Sequence, residues 1–124
     1  MKSDNIIVAM QRLLEWFAPR CSDRRSMDEL MGLLSAERAR WQRAHALFDR
    51  IRHKTLDADR RGDKLLQAQY SFEEVCAKTI YNLSRHPAPF DADSPYWIIP
   101  NAAALARKLQ IDETEILRII APEA

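Results

Sequence analysis

AERARWQRAHALFDRIRHKTLDADRRGDKLLQAQYSFEEVCAKTIYNL, residues 36–83, is the stretch on which the fold turns. Ser35 is placed to cap a helix from Ala36 to about Arg60, along which Trp41, Ala44, Leu47, Phe48 and Ile51 recur at helical spacing. Gly62 suits the left-handed position just past a helix end, and Asp63 suits the cap of a new helix. That second helix, about Lys64 to Leu83, carries Leu65, Leu66, Phe72, Val75, Cys76, Ile80 and Leu83. A connection this short makes the two helices antiparallel neighbours, an αα-hairpin.

Upstream, the sequence predicts a helix from Asp4 to Phe17 with Ser3 as its cap and Pro19 beyond its end. Ile6, Ile7, Val8, Met10, Leu13, Leu14, Trp16 and Phe17 make it apolar on more than one face, so heavy burial is expected. Arg20 to Arg25 reads as a loop, and Ser26 with Glu29 reads as a capping box for a short helix through Leu34, with Gly32 inside it. Downstream, Tyr81 to Asn101 concentrates four of the six prolines and a Phe-Tyr-Trp cluster in one connection. Ser94 and Pro95 fit a single turn. Pro100 fits the start of a helix over about Asn101–Leu109, and Asp112 with Glu115 caps a last helix through Ile120. The expected fold is all-α: one domain over residues 1–124, a bundle built on the hairpin, with two short helices after the proline-rich loop.

Composition agrees. Apolar residues form 47% and charged residues 30% of 124 positions, enough for one core, and two glycines are too few for a turn-rich β protein. No run approaches the length of a membrane span, and Gln11, Arg12 and Glu15 interrupt the N-terminal apolar stretch. Cys21 and Cys76 have no metal-type spacing. Two lone thiols without an export signal lead to the expectation of a reducing cytoplasm. Net charge is +1, but residues 36–61 carry eight basic against four acidic groups and residues 62–124 carry six against nine. An acidic C-terminal half suits a basic partner.

Five constellations bear on chemistry. In AALARKLQIDETEILRII, the residues Ala106, Leu109, Ile111, Ile116 and Ile119 match the apolar framework of a helix-turn-helix. Gln110 stands where a turn glycine is usual, and the would-be reading helix offers Glu113 and Glu115 to a polyanion, so a DNA-binding regulator is the alternative reading. His45, Asp49, His53 and Asp57 recur every four residues, and Glu73 and Glu74 on the returning helix are within possible reach of a metal there. Two Glu-x-x-His motifs, which a bundle di-metal site needs, are missing, so a metal-dependent enzyme is a further alternative. The paired acidic motifs of all-α pyrophosphohydrolases are incomplete around Glu73-Glu74. Cys76 with His45 or His53, and Ser84 with His86 and Asp91, do not define a nucleophile. The arginines of the long helix are interleaved with acids and lack an aromatic platform for nucleic acid.

No catalytic residue, metal or cofactor is therefore assigned, and the loop is left as the recognition candidate. Trp97 and Ile99 fit the core. Asp91 and Asp93 are costly to bury and should sit exposed beside Phe90 and Tyr96. Carboxylates bordering aromatic anchors suit a partner with a cationic cleft. In size, helical content and lack of catalytic residues, the chain resembles the immunity proteins that bacteria pair with nuclease toxins, including those of contact-dependent growth inhibition. The resemblance implies one-to-one binding that neutralises a cognate toxin in the cytoplasm. On this reading Phe90, Asp91, Asp93, Tyr96 and Trp97 form the contact surface, with Asp112, Glu113 and Glu115 as candidates to extend it.

Overall fold

In the computed structural model, residues 2–34, 40–85 and 98–120 are described. Six α-helices and a 3-10 turn account for nearly all of them, and no strand occurs among them. The helices are α1 (Lys2–Phe17), α2 (Arg24–Leu34), α3 (Arg40–Arg61), α4 (Lys64–Arg85), α5 (Ile98–Lys108) and α6 (Thr114–Ile120).

α3 gives way to α4 at Gly62 and Asp63. Gly62 has φ 72°, its amide donates to the Asp59 carbonyl at 3.1 Å, and the Asp63 amide donates to Ala58 at 2.9 Å. This pair of bonds satisfies two of the last carbonyls of α3, and only glycine reaches that φ without Cβ strain. Asp63 then caps α4 by accepting the Leu66 amide at 3.1 Å. The two long helices pack along each other. Thr55 of α3 donates to Glu74 of α4 at 2.7 Å, and the ring of His45 lies 5.4 Å from that of Tyr81.

Each remaining helix adds an apolar stripe to one continuous core. In α1 the stripe is Met10, Leu13, Leu14 and Phe17; in α2 it is Met27, Leu30, Leu33 and Leu34; in α5 it is Ile98, Ala102, Leu105 and Ala106. Phe17 meets Phe72 of α4 with ring centroids 5.2 Å apart, which joins the first helix to the hairpin. At the other end of the chain, α6 packs on α1, where Arg12 donates to the Ile120 carbonyl at 3.2 Å. A guanidinium there serves the otherwise unpaired last carbonyls of a helix.

Several boundaries differ from expectation. Ser3 lies inside α1, not at its cap, and from Ile7 onward α1 buries one stripe, leaving Val8 exposed and Trp16 half-buried. Ser26 does not cap α2. The helix begins two residues earlier, and Asp23 accepts the Ser26 amide at 3.4 Å, so Ser26 sits buried in the first turn. Pro100 does not open α5, which starts at Ile98. It occupies the first turn, where a missing amide hydrogen costs no helical bond. The expected cap at Ser35 lies outside the described residues.

Candidate functional site

The five loop residues singled out as a contact surface, Phe90, Asp91, Asp93, Tyr96 and Trp97, lie outside the described residues, as does the Ser94–Pro95 turn. The rest of that surface, the turn and helix following α5, is described. Here Gln110 adopts φ 61°, its amide donates to Arg107 at 3.0 Å, and Ile111 donates to Ala106 at 2.9 Å. These are the same two closing bonds that end α3 at Gly62. A glutamine thus takes the left-handed position that a glycine normally fills.

Asp112 then accepts the Thr114 amide at 3.0 Å, and that bond holds its carboxyl below the usual carboxylate range. Arg107 pairs with Glu113 at 2.9 Å and Arg118 with Glu115 at 3.1 Å. The ion pairs engage two cations that phosphate recognition would need free. Ile116 is anchored in the core, and its neighbour Leu117 is 62% exposed, the most exposed large apolar side chain among the described residues. Leu117 thus sits outward on a short helix, with Asp112, Glu113 and Glu115 nearby in the chain.

The histidine stripe of α3 resolves into local pairs. His45 faces Asp49 at 3.6 Å, the Nδ1 of His53 lies 2.8 Å from the Asp49 carbonyl oxygen, and Asp57 binds Arg61 at 3.1 Å. Glu74 reaches α3 at Thr55, while Glu73 turns into the interior. Among the described residues no group of three or more His, Cys, Asp or Glu side chains is placed to hold a metal ion. Cys76 is fully buried, whereas His45 and His53 are exposed, so the considered thiol–imidazole pairs do not form. Between α2 and α3 an open cleft of about 280 Å³ is lined by Glu29, Gly32, Leu33, Arg43, Ala46, Leu47 and Arg50. Arg50 is neutralised there by Glu29 at 2.9 Å.

The densest polar chemistry lies elsewhere, where the first turn of α2 meets α3 and α4. Asp23 is its hub. One carboxylate oxygen caps α2, and the other accepts the Tyr70 hydroxyl at 2.7 Å and the Lys54 ammonium at 3.3 Å. Its carbonyl accepts Gln69 Nε2 at 2.7 Å and the Ser26 hydroxyl at 3.3 Å. Partial burial pushes the Asp23 carboxyl up, but Tyr70, Lys54 and the Ser26 amide outweigh that and hold it below the usual range. Tyr70 shifts upward through burial and through its bond to Asp23.

Gln69 Nε2 also donates to Glu73 Oε2 at 2.7 Å, and both side chains are buried. Burial raises the Glu73 carboxyl to about 7, against opposing effects of Ser26 and Gln69. Burial beside Glu73 also raises the Cys21 thiol to about 12 and pushes Cys76 up, so both stay protonated and weakly nucleophilic. This centre was missed in the sequence, although a signal existed. Asp23 stands three residues before Ser26, and Gln69 and Glu73 fall on the same helical face as Phe72 and Cys76. No family model, curated protein or solved structure matches the chain.

Proposed function

We propose that the chain is a non-catalytic protein-binding module, an immunity-type protein that neutralises a nuclease toxin in the cytoplasm by covering a cationic surface. Its frame is a single-domain bundle built on the antiparallel α3–α4 hairpin, and the α5–α6 pair carries part of the contact surface. The observation that carries this reading is Leu117, 62% exposed beside a buried Ile116 and preceded in the chain by Asp112, Glu113 and Glu115. An apolar anchor near carboxylates suits an interface in which burial supplies affinity and charge speeds encounter, with Glu113 and Glu115 exchanging Arg107 and Arg118 for cations of the partner. Phe90, Asp91, Asp93, Tyr96 and Trp97 belong to the same proposed surface.

The test is copurification of the tagged chain from its own source, with quantitative mass spectrometry of wild type, Leu117→Ser and the double variant Asp91→Lys/Asp93→Lys. A partner retained by wild type and depleted at least tenfold by either variant, with thermal stability unchanged, supports the reading. Equal recovery with all three removes this surface from the interface.

A second reading, a DNA-binding regulator, is favoured by one specific observation. Gln110 supplies the left-handed turn of a helix-turn-helix, between a buried Ala106 and a buried Ile116. It requires retention on DNA that falls steeply with added salt, and no mobility shift at low salt eliminates it.

A further inference from the structure

The polar centre joins three helices through side chains that do not share the core's apolar character. Gln69 spends both amide hydrogens, one on the Asp23 carbonyl that leads into α2 and one on Glu73 of its own helix. The Asp23–Gln69–Glu73 chain therefore ties the first turn of α2 to α4, and Lys54 and Tyr70 brace the same aspartate from α3 and α4. The tie has a weak member. Glu73 is wholly buried, its Oε1 and the Oε1 of Gln69 have no hydrogen-bond partner, and no cation pairs with it among the described residues.

The groups facing Glu73 compensate its ionisation only in part: Ser26, Gln69 and Lys54 favour the anion, and burial outweighs them. From the segment before α2 comes Cys21, a protonated thiol, and from the start of α2 come Asp23, an anion, and the Ser26 hydroxyl. From α3 comes Lys54, whose ammonium is already engaged by Asp23 at 3.3 Å. From α4 come Gln69, Tyr70 and Cys76, all neutral. A carboxylate formed in this setting is desolvated and faces one anion nearby, whereas the neutral acid is cheap to keep.

We propose that this seam is a proton-operated latch: it holds α2 against α4 while Glu73 is neutral, and it releases the start of α2 when Glu73 ionises. Release lets water reach the carboxylate, frees the Asp23 cap and uncovers Met27 and Leu30. The sign follows from linkage. Glu73 binds its proton more tightly in the closed form, whose carboxyl lies near 7, than in the opened form with an ordinary value of 4.5. Closure is therefore most favourable below the ordinary value. It weakens as pH rises between the two, and the loss is complete above the closed-state value.

The measurement is hydrogen exchange of backbone amides in the full chain between pH 5 and pH 8, corrected for the intrinsic rate of each amide. The opening constant of amides in the first turns of α2 should rise on the order of fiftyfold in wild type and stay flat in Glu73→Gln. Amides of α1 and α6 should show no matching rise. A flat α2 profile in wild type overturns the latch. So does an equal slope in the variant, or a rise shared equally by all helices. Should Glu73→Gln fail to fold, a carbon-13 titration of the Glu73 carboxyl in wild type decides the matter. A midpoint near neutrality supports the latch, and one in the ordinary carboxylate range overturns it.

Discussion

Asp23 shows how one side chain carries several structural duties. It caps α2, receives a phenol and an ammonium, and offers its carbonyl to Gln69. Replacing a capping Asp by Ala costs about 0.5–2 kcal/mol, and the orphaned Tyr70 hydroxyl adds about 1 kcal/mol more. Asp23→Ala should therefore lower unfolding free energy by about 1.5–3 kcal/mol in urea titrations, and Tyr70→Phe by about 1 kcal/mol. The acid limb of stability should change as well. Because the folded state depresses the Asp23 carboxyl, its contribution is present above the ordinary value and is lost as pH falls through the folded one. Asp23→Asn should flatten the loss of melting temperature below pH 4, a range well separated from that of Glu73. An unchanged acid limb would mean that other carboxylates govern it.

At the scale of elements, two left-handed closures invite opposite substitutions. Gly62 at φ 72° has no Cβ to strain, so Gly62→Ala should cost about 1 kcal/mol. Gln110 at φ 61° pays that penalty already, and Gln110→Gly should recover up to about 1 kcal/mol by thermal melting. Gly32 is different. It lies inside α2 at the open cleft, and a Cβ built there meets nothing within 4 Å, so Gly32→Ala should stabilise by about 1 kcal/mol. Loss of stability in Gln110→Gly would show that its side chain is worth more than its backbone costs.

The same elements show what could be read in advance. The positions of α3 and α4, and the Gly62–Asp63 turn, were legible because periodicity and punctuation agreed there. The start of α2 was misplaced because Ser26 and Glu29 imitate a capping box, while the hydrogen bond that selects Asp23 belongs to a network assembled from residues 23, 54, 69 and 70. Spacing along the chain cannot report a partner 46 residues away. The Gln110 turn was legible as a position but not as a conformation, since glutamine has no preference for positive φ. In α6 the sequence marked Ile116 and Ile119 as the apolar framework but not how far outward Leu117 stands, because that depends on which side of the helix α1 covers.

For the whole molecule, the decisive joint is between Phe17 and Phe72, both fully buried, which fastens α1 to the hairpin. Phe72→Ala leaves a cavity at the meeting point of α1 and α4 and should cost about 3–5 kcal/mol. If the described helices unfold together, tryptophan fluorescence and far-ultraviolet circular dichroism will shift by the same amount in urea. Separate midpoints would mean that α1 leaves the hairpin before the rest unravels.

The clasp of Arg12 on the last carbonyl of α6 spans 108 positions. Within this chain α6 is made long after α1, so α1 cannot complete its docking until α6 is in place, although α2 and α4 cover other parts of it earlier. Joining such distant segments costs more chain entropy than closing the tight turn at Gly62, so the seam between α1 and α6 should be among the slowest to form and the first to part.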